Sequence, residues 1–171
     1  MKLKQEATMR KKDREVTNKE ELLSIIEKCD CCRVGFCYDN IPYIVPMNYG
    51  YTYENDQLIL YFHSGLEGKK LEMIKQNNNV CFQMDCSHEL VHNDIPCRYT
   101  MKFESIIGQG KIYILTEEQE KIEALQHVMK KYAPDKVFEF EAKHARIILG
   151  LKLVVEEFTG KRSTKGGTVD K

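Results

Sequence analysis

The residues with most chemical content lie in one short run, His63-Ser64-Gly65-Leu66-Glu67-Gly68-Lys69-Lys70. Two adjacent lysines stand where a helix is expected to begin, although the partial positive charge of a helix N-terminus disfavours cations. Free backbone N–H groups at that same place make it a seat for an anion. Ser64 adds a hydroxyl, and Gly65 and Gly68 let the backbone approach a ligand closely. A local rule broken without visible compensation points to function, here a phosphate pocket. The spacing is neither a P-loop nor a GxGxxG, so a solvated lysine pair on a helix face is the competing reading. His63 could be a hydrogen-bonded structural residue or, since imidazoles as a class exchange protons readily, a donor to a ligand.

Other constellations are less ordered. Cys86, His88, His92 and Cys97 put four possible zinc ligands in one segment, but not in the CxxC or HxxxH pairs of common fingers. Cys29, Cys31 and Cys32 could chelate a soft metal, or be buried or free thiols. No Ser-His-Asp or Cys-His arrangement can be argued from order.

The elements that position the lysine run follow from periodicity. A strand over residues 42–48, a turn over 51–56 and a strand over 58–63 lead into it. A helix with apolar Leu71 and Ile74, ended by Asn77, Asn78 and Asn79, and a strand over 80–84 follow it. In 58–63, Leu58, Leu60 and Phe62 face one way, and Ile59, Tyr61 and His63 the other. Upstream, Thr17 to Glu20 has the capping-box pattern before a helix with Leu22, Ile25, Ile26 and Cys29 at helical spacing. Residues 33–38 alternate as a strand, with Asp39 and Asn40 as the turn that follows.

Downstream, 87–96 reads as a polar loop, and 98–107 and 111–115 as strands around Gly108, Gln109 and Gly110. Thr116 to Gln119 is a second capping box. It opens a helix with Ile122, Leu125, Val128, Met129 and Tyr132 on one side, stopped at Ala133 and Pro134. A short helical turn is expected over 137–140. Residues 145–156 form the clearest strand, with Ile147, Leu149, Leu151, Leu153 and Val155 on one face. A charged arm (1–16) and a flexible tail (161–171) flank a single domain over 17–160.

Lys+Arg and Asp+Glu both number 26, giving a formal net charge of zero. That argues against a general nucleic-acid or membrane-surface binder, which needs a basic excess. The longest apolar runs, such as 147–151, fall far below the roughly 20 residues of a membrane span, and the first residues lack the apolar core of a secretory signal. Seven cysteines, an odd and irregular set, read as reduced thiols of a cytoplasmic protein.

Six or seven strands, mostly adjacent in sequence and joined by short turns, with two or three helices outside them, favour a mainly β, antiparallel barrel. Residues 42–51 (PYIVPMNYGY), 60–64 (LYFHS), 67–71 (EGKKL) and 80–82 (VCF) resemble the pyridoxamine 5'-phosphate oxidase-like flavin proteins, and among them the nitroimidazole-resistance (Nim) branch. So do 10–15, 32–36 (CRVGF), 99–110 and 157–161 (EFTGK), so that the resemblance spans about residues 9–161.

It implies a split β-barrel, usually a homodimer with FMN at the subunit interface. Val45, Pro46, Met47 and Asn48 would line the isoalloxazine, His63 and Ser64 would lie near the ring and the phosphate-bearing tail, and Lys69 and Lys70 would grip the phosphate. Ser105 matches a strand that often reaches the partner's flavin. The flavin would reduce a small acceptor, a nitroimidazole or other nitroaromatic, with electrons from a nicotinamide cofactor or another donor. His63 would be the proton donor or substrate-orienting group, and no metal is implied.

The alternative is a non-catalytic flavin or haem binder on the same barrel, with His63, His88 or His92 as axial ligands. The chain has no tryptophan, whereas true pyridoxamine phosphate oxidases hold pyridoxal phosphate with an arginine-rich, Trp-containing C-terminal segment, so vitamin B6 oxidation is not expected. Lys69 stands where many relatives have arginine and gives up the bidentate fork.

Overall fold

A computed structural model describes residues 11–163. A 3-10 turn (Lys12–Arg14) leads into β1 (Glu15–Val16), α1 (Lys19–Lys28), β2 (Cys32–Tyr38), β3 (Ile41–Met47), β4 (Gly50–Glu54) and β5 (Gln57–Ser64). Then come α2 (Lys69–Gln76), β6 (Asn79–Val91), a second 3-10 turn (Pro96–Arg98), β7 (Thr100–Leu115), α3 (Glu118–Tyr132), α4 (Ala142–Arg146) and β8 (Leu149–Ser163). The expected antiparallel, mainly β architecture is present, with eight strands and four helices among the described residues.

Two hairpins set the register of the first half. Asp39 and Asn40 have φ of 53° and 59°, and Asn55 and Asp56 have 50° and 60°. Asx residues tolerate this left-handed region, and two in succession make the type I′ turn whose twist suits a hairpin. Tyr38 therefore pairs with Ile41, and Glu54 with Gln57. The strand path is β3-β2-β6-β7-β8-β5-β4, with β1 attached to β8. Its two ends, β3 and β4, are joined by only Asn48 and Tyr49. Two residues span a few ångströms, so the sheet must curl until its ends meet. The result is a barrel with an open seam: β3 and β4 stand side by side without a shared ladder.

The interior is apolar and built by alternation. Leu58, Leu60 and Phe62 point inward as expected, and they meet Leu151, Leu153, Ile106, Phe82 and Met84 in one cluster. Leu22, Ile25 and Ile26 of α1 cover one end of it.

Several sequence expectations are corrected. The cap of α1 is Asn18, whose side chain accepts from the Glu21 N–H, rather than a box begun at Thr17. No side chain caps α3, which starts one residue after Glu117. Residues 50–54 are strand, and only 55 and 56 turn. The loop expected from residue 87 is strand through Val91, past a bulge between Cys86 and Glu89. Gly108 to Gly110 does not break β7. No helix forms over 137–140; the short helix is α4, and it takes up Ala145. Ile147 is exposed rather than part of the strand's inner face. Lys161, Arg162 and Ser163 belong to β8, not to a flexible tail, and the arm's end is tied to the sheet through Glu15↔Lys161 and Val16↔Gly160. Residues 1–10 and 164–171 lie outside the described part. No described helix is long and apolar enough to cross a membrane.

Candidate functional site

β5 delivers Ser64 to the start of the lysine run. Ser64 is the last residue of the strand, opposite Leu149 of β8, and only 4% exposed. Its Oγ is the one buried side-chain polar atom of the described residues without a hydrogen-bond partner. Such a group costs roughly 1–3 kcal/mol, and an orphan of this kind calls for a physical reason.

Four residues on, Gly68 caps α2 with φ of 139° and no side-chain cap bond. That backbone conformation belongs to glycine. A Cβ at Gly65 or Gly68 would meet nothing within 4 Å, so the glycines leave open space above the helix end. The N–H groups of Leu71 and Glu72 go to the Gly68 carbonyl. Those of Lys69 and Lys70 are first-turn donors, which a helix leaves unpaired. Ser64, the first-turn amides of Lys69 and Lys70 and their two ammonium groups are what this run offers to an anion.

The edge strand β3 stands beside it. Lys69 Nζ lies 4.8 Å above the Tyr43 ring. Val45 is half-buried against the core, Pro46 is exposed, Met47 is buried and Asn48 is exposed. Their backbones pair with β2 on one side only, through Val34↔Val45 and Cys32↔Met47. The other side of β3 is free for a ligand edge.

His63 and Ser64 leave β5 on opposite faces, as neighbours in a strand must: the imidazole is exposed and the hydroxyl buried. Ser105 is not in this group. It pairs with Asp85 and with Lys161, while Ser64 pairs with Leu149. From 149 to 161 is twelve residues, about 40 Å of strand at 3.3 Å each. The two serines sit at opposite ends of β8.

The possible zinc segment is dispersed. His88 pairs with Asp85 at 2.7 Å, His92 packs edge-on to Tyr99, Cys86 is half-buried beside Ser87, and Cys97 is exposed. Among the described residues no three His, Cys, Asp or Glu side chains gather as a metal site would need. Cys29 and Cys32 are buried, and burial pushes both thiols up from their usual range, with neighbouring Cys86 adding to the effect at Cys29 and Cys31 at Cys32.

Sequence reasoning missed two clusters. One joins Tyr49, fully buried, to Lys131 and Tyr132 at the end of α3. The Tyr49 hydroxyl donates toward the carbonyls of Ile26 and Cys29, and Lys131 Nζ donates to the Glu27 carbonyl at 2.7 Å. The other surrounds Glu104, which receives Arg162 Nε at 2.6 Å, Lys28 Nζ at 2.9 Å and Ser87 Oγ at 2.9 Å. A cleft of about 430 Å³ opens there. Both are assembled by contacts far apart in sequence, so periodicity carries no signal for them.

The family model described as pyridoxamine 5'-phosphate oxidase matches residues 18–162. Among solved structures, a candidate 5-nitroimidazole antibiotic resistance protein from Bacteroides thetaiotaomicron VPI-5482 is 38% identical, with 86% of this chain and 85% of that one covered, at TM-score 0.73. The chain therefore belongs to the pyridoxamine 5'-phosphate oxidase-like split-barrel family, in its nitroimidazole-resistance branch. Two more distant structures share the fold. The flavocytochrome Anf3 from Azotobacter vinelandii is 18% identical (TM-score 0.77, 95% of this chain and 75% of that one). The FAD and heme binding protein from Mycobacterium smegmatis is 15% identical (TM-score 0.76, 92% and 77%). No curated protein sequence matches closely enough to count as a relative.

Proposed function

We propose that this protein binds FMN along its seam and uses it to reduce a small acceptor, with nitroimidazoles and other nitroaromatics as the leading class. The observation that carries the reading is the buried, partnerless Ser64 hydroxyl, four residues before the N-cap of α2, which no side chain caps. A phosphate monoester fits that donor set: it would accept from the hydroxyl and the two amides and be neutralised by Lys69 and Lys70. The free edge of β3 at Val45, Pro46, Met47 and Asn48 would then run along the ring. Bound flavin supplies the electron transfer, taking electrons from a nicotinamide cofactor or another donor. The chain's own work is to grip the phosphate, shield one face of the ring and orient the acceptor. His63, exposed at the end of β5, is the proton donor or orienting group in this scheme. Function as a homodimer is part of the reading, because Ser105 lies too far along β8 to join its own subunit's cradle.

The test is an FMN titration of the purified protein followed by its visible spectrum. Flavin bands on binding, and reduction of a nitroimidazole once the flavin is reduced, are expected. A protein that stays colourless with added FMN overturns the reading, and a Soret band from haem would favour the haem-binding alternative. Substituting Lys69→Ala and Lys70→Ala together is expected to weaken FMN binding about 100-fold or more, on the order of 3 kcal/mol for two charge-assisted contacts. Unchanged affinity in that variant would put the phosphate elsewhere.

A further inference from the structure

The two residues that close the seam are held by a side chain from outside the barrel. Tyr132, the last residue of α3, donates its hydroxyl hydrogen to the Asp30 carbonyl at 2.6 Å. The same oxygen accepts the Tyr49 N–H at 3.3 Å. A phenol has one proton, here committed to Asp30, so it meets the peptide between Asn48 and Tyr49 as an acceptor. Lys131, next in line, fixes the last turn of α1 from the same side and lies 4.8 Å from the Tyr49 ring. The end of α3 thus grips both the Asn48–Tyr49 link and the α1 terminus that anchors Tyr49.

We infer that Tyr132 is a positioning residue of the flavin site, whose hydroxyl sets the Asn48–Tyr49 link against the ring through the Tyr49 N–H. This rests on the flavin reading above. A phenol that only tied α3 to α1 would affect stability and leave a bound ring's surroundings unchanged. A positioning phenol changes the ring's environment, through the peptide that joins Asn48 to Tyr49.

The experiment uses the full chain and FMN, with affinity and visible absorption read together. Tyr132→Phe removes the hydroxyl alone. It is expected to weaken FMN binding about fivefold, as for one neutral hydrogen bond, and to alter the fine structure of the bound flavin's absorption, with the far-ultraviolet circular dichroism of the apoprotein unchanged. If the unsubstituted chain binds FMN and Tyr132→Phe matches it in affinity and spectrum, the positioning role is overturned and the flavin reading stands. If the unsubstituted chain binds no FMN, both fall. Should Tyr132→Phe not fold, amide hydrogen exchange of the native chain decides. Added FMN is expected to protect residues 48–50 and 130–132 together, and protection of 48–50 alone overturns the inference.

Discussion

A buried hydroxyl without a partner costs about 1–3 kcal/mol, and Ser64 carries that cost in the chain alone. Ser64→Ala is therefore expected to leave the apoprotein as stable or up to about 1 kcal/mol more so, while FMN affinity falls about tenfold for one hydrogen bond to a charged group. Thermal unfolding of the apoprotein and a flavin titration check the two halves, and a stability loss with unchanged affinity would make Ser64 an ordinary core residue. Glu104 works in the opposite sense. Burial alone would push its pKa up, but the bonds from Lys28, Arg162 and Ser87 outweigh that and hold it below the usual 4.5. A folded value below the unfolded one means stability is full above the ordinary glutamate range and is lost as pH falls through the folded value. Glu104→Gln is expected to lose about 2 kcal/mol at neutral pH and to flatten the acid side of the stability profile, as read by urea unfolding at neutral and acid pH. Ser64 was singled out in the sequence as a candidate because Gly65, Gly68, Lys69 and Lys70 follow it in the chain. Glu104 was not, because its partners lie 76, 58 and 17 residues away.

At the scale of elements, β5 and the start of α2 were legible, the first by strict alternation and the second by lysines against the helix dipole. The long strands were not. Gly108 and Gly110 look like a turn, yet β7 runs through them because a side chain at Gly108 would strike the Phe82 ring and one at Gly110 the Val154 carbonyl. They are glycines of close packing, not of bending. β6 beyond Cys86 is exposed, so it shows no alternation to read, and it is strand only because β7 pairs with it through Val91↔Thr100. Gly50 is a third case of close approach. A Cβ there would run into the backbone of His127 and Val128 in α3, and backbone cannot step aside as a side chain can. Gly50→Ala is expected to cost about 3 kcal/mol, as overpacking does, by lifting β4 from α3 and loosening the link at Asn48 and Tyr49. Chemical denaturation measures the loss, and a variant as stable as the parent would mean that α3 does not press on β4.

The whole molecule poses a question that one chain does not answer by itself. Ser64 pairs with one end of β8 and Ser105 with the other, so a site that uses both needs two copies. The outer face of the sheet offers a surface for that meeting. Ladder partners place Pro46, Arg33, Gln83 and Ile107 in one row and Ile44, Gly35, Cys81 and Gln109 in the next. Ile107 and Ile44 are 55% and 66% exposed there, which leaves bulky apolar groups in water beside the proposed ring site. Ile107→Glu should cost a single chain little, because exposed substitutions usually stay within about 0.5 kcal/mol. Between two copies it would bury a charge without a partner, which is strongly unfavourable. The expected outcome is a monomer by sedimentation velocity, with native circular dichroism and FMN binding lost in step with the dimer. A variant that stays dimeric and binds FMN would move the contact to another face. A monomer that binds FMN at full strength would make the site complete within one chain, and the distance between Ser64 and Ser105 would then remove Ser105 from it.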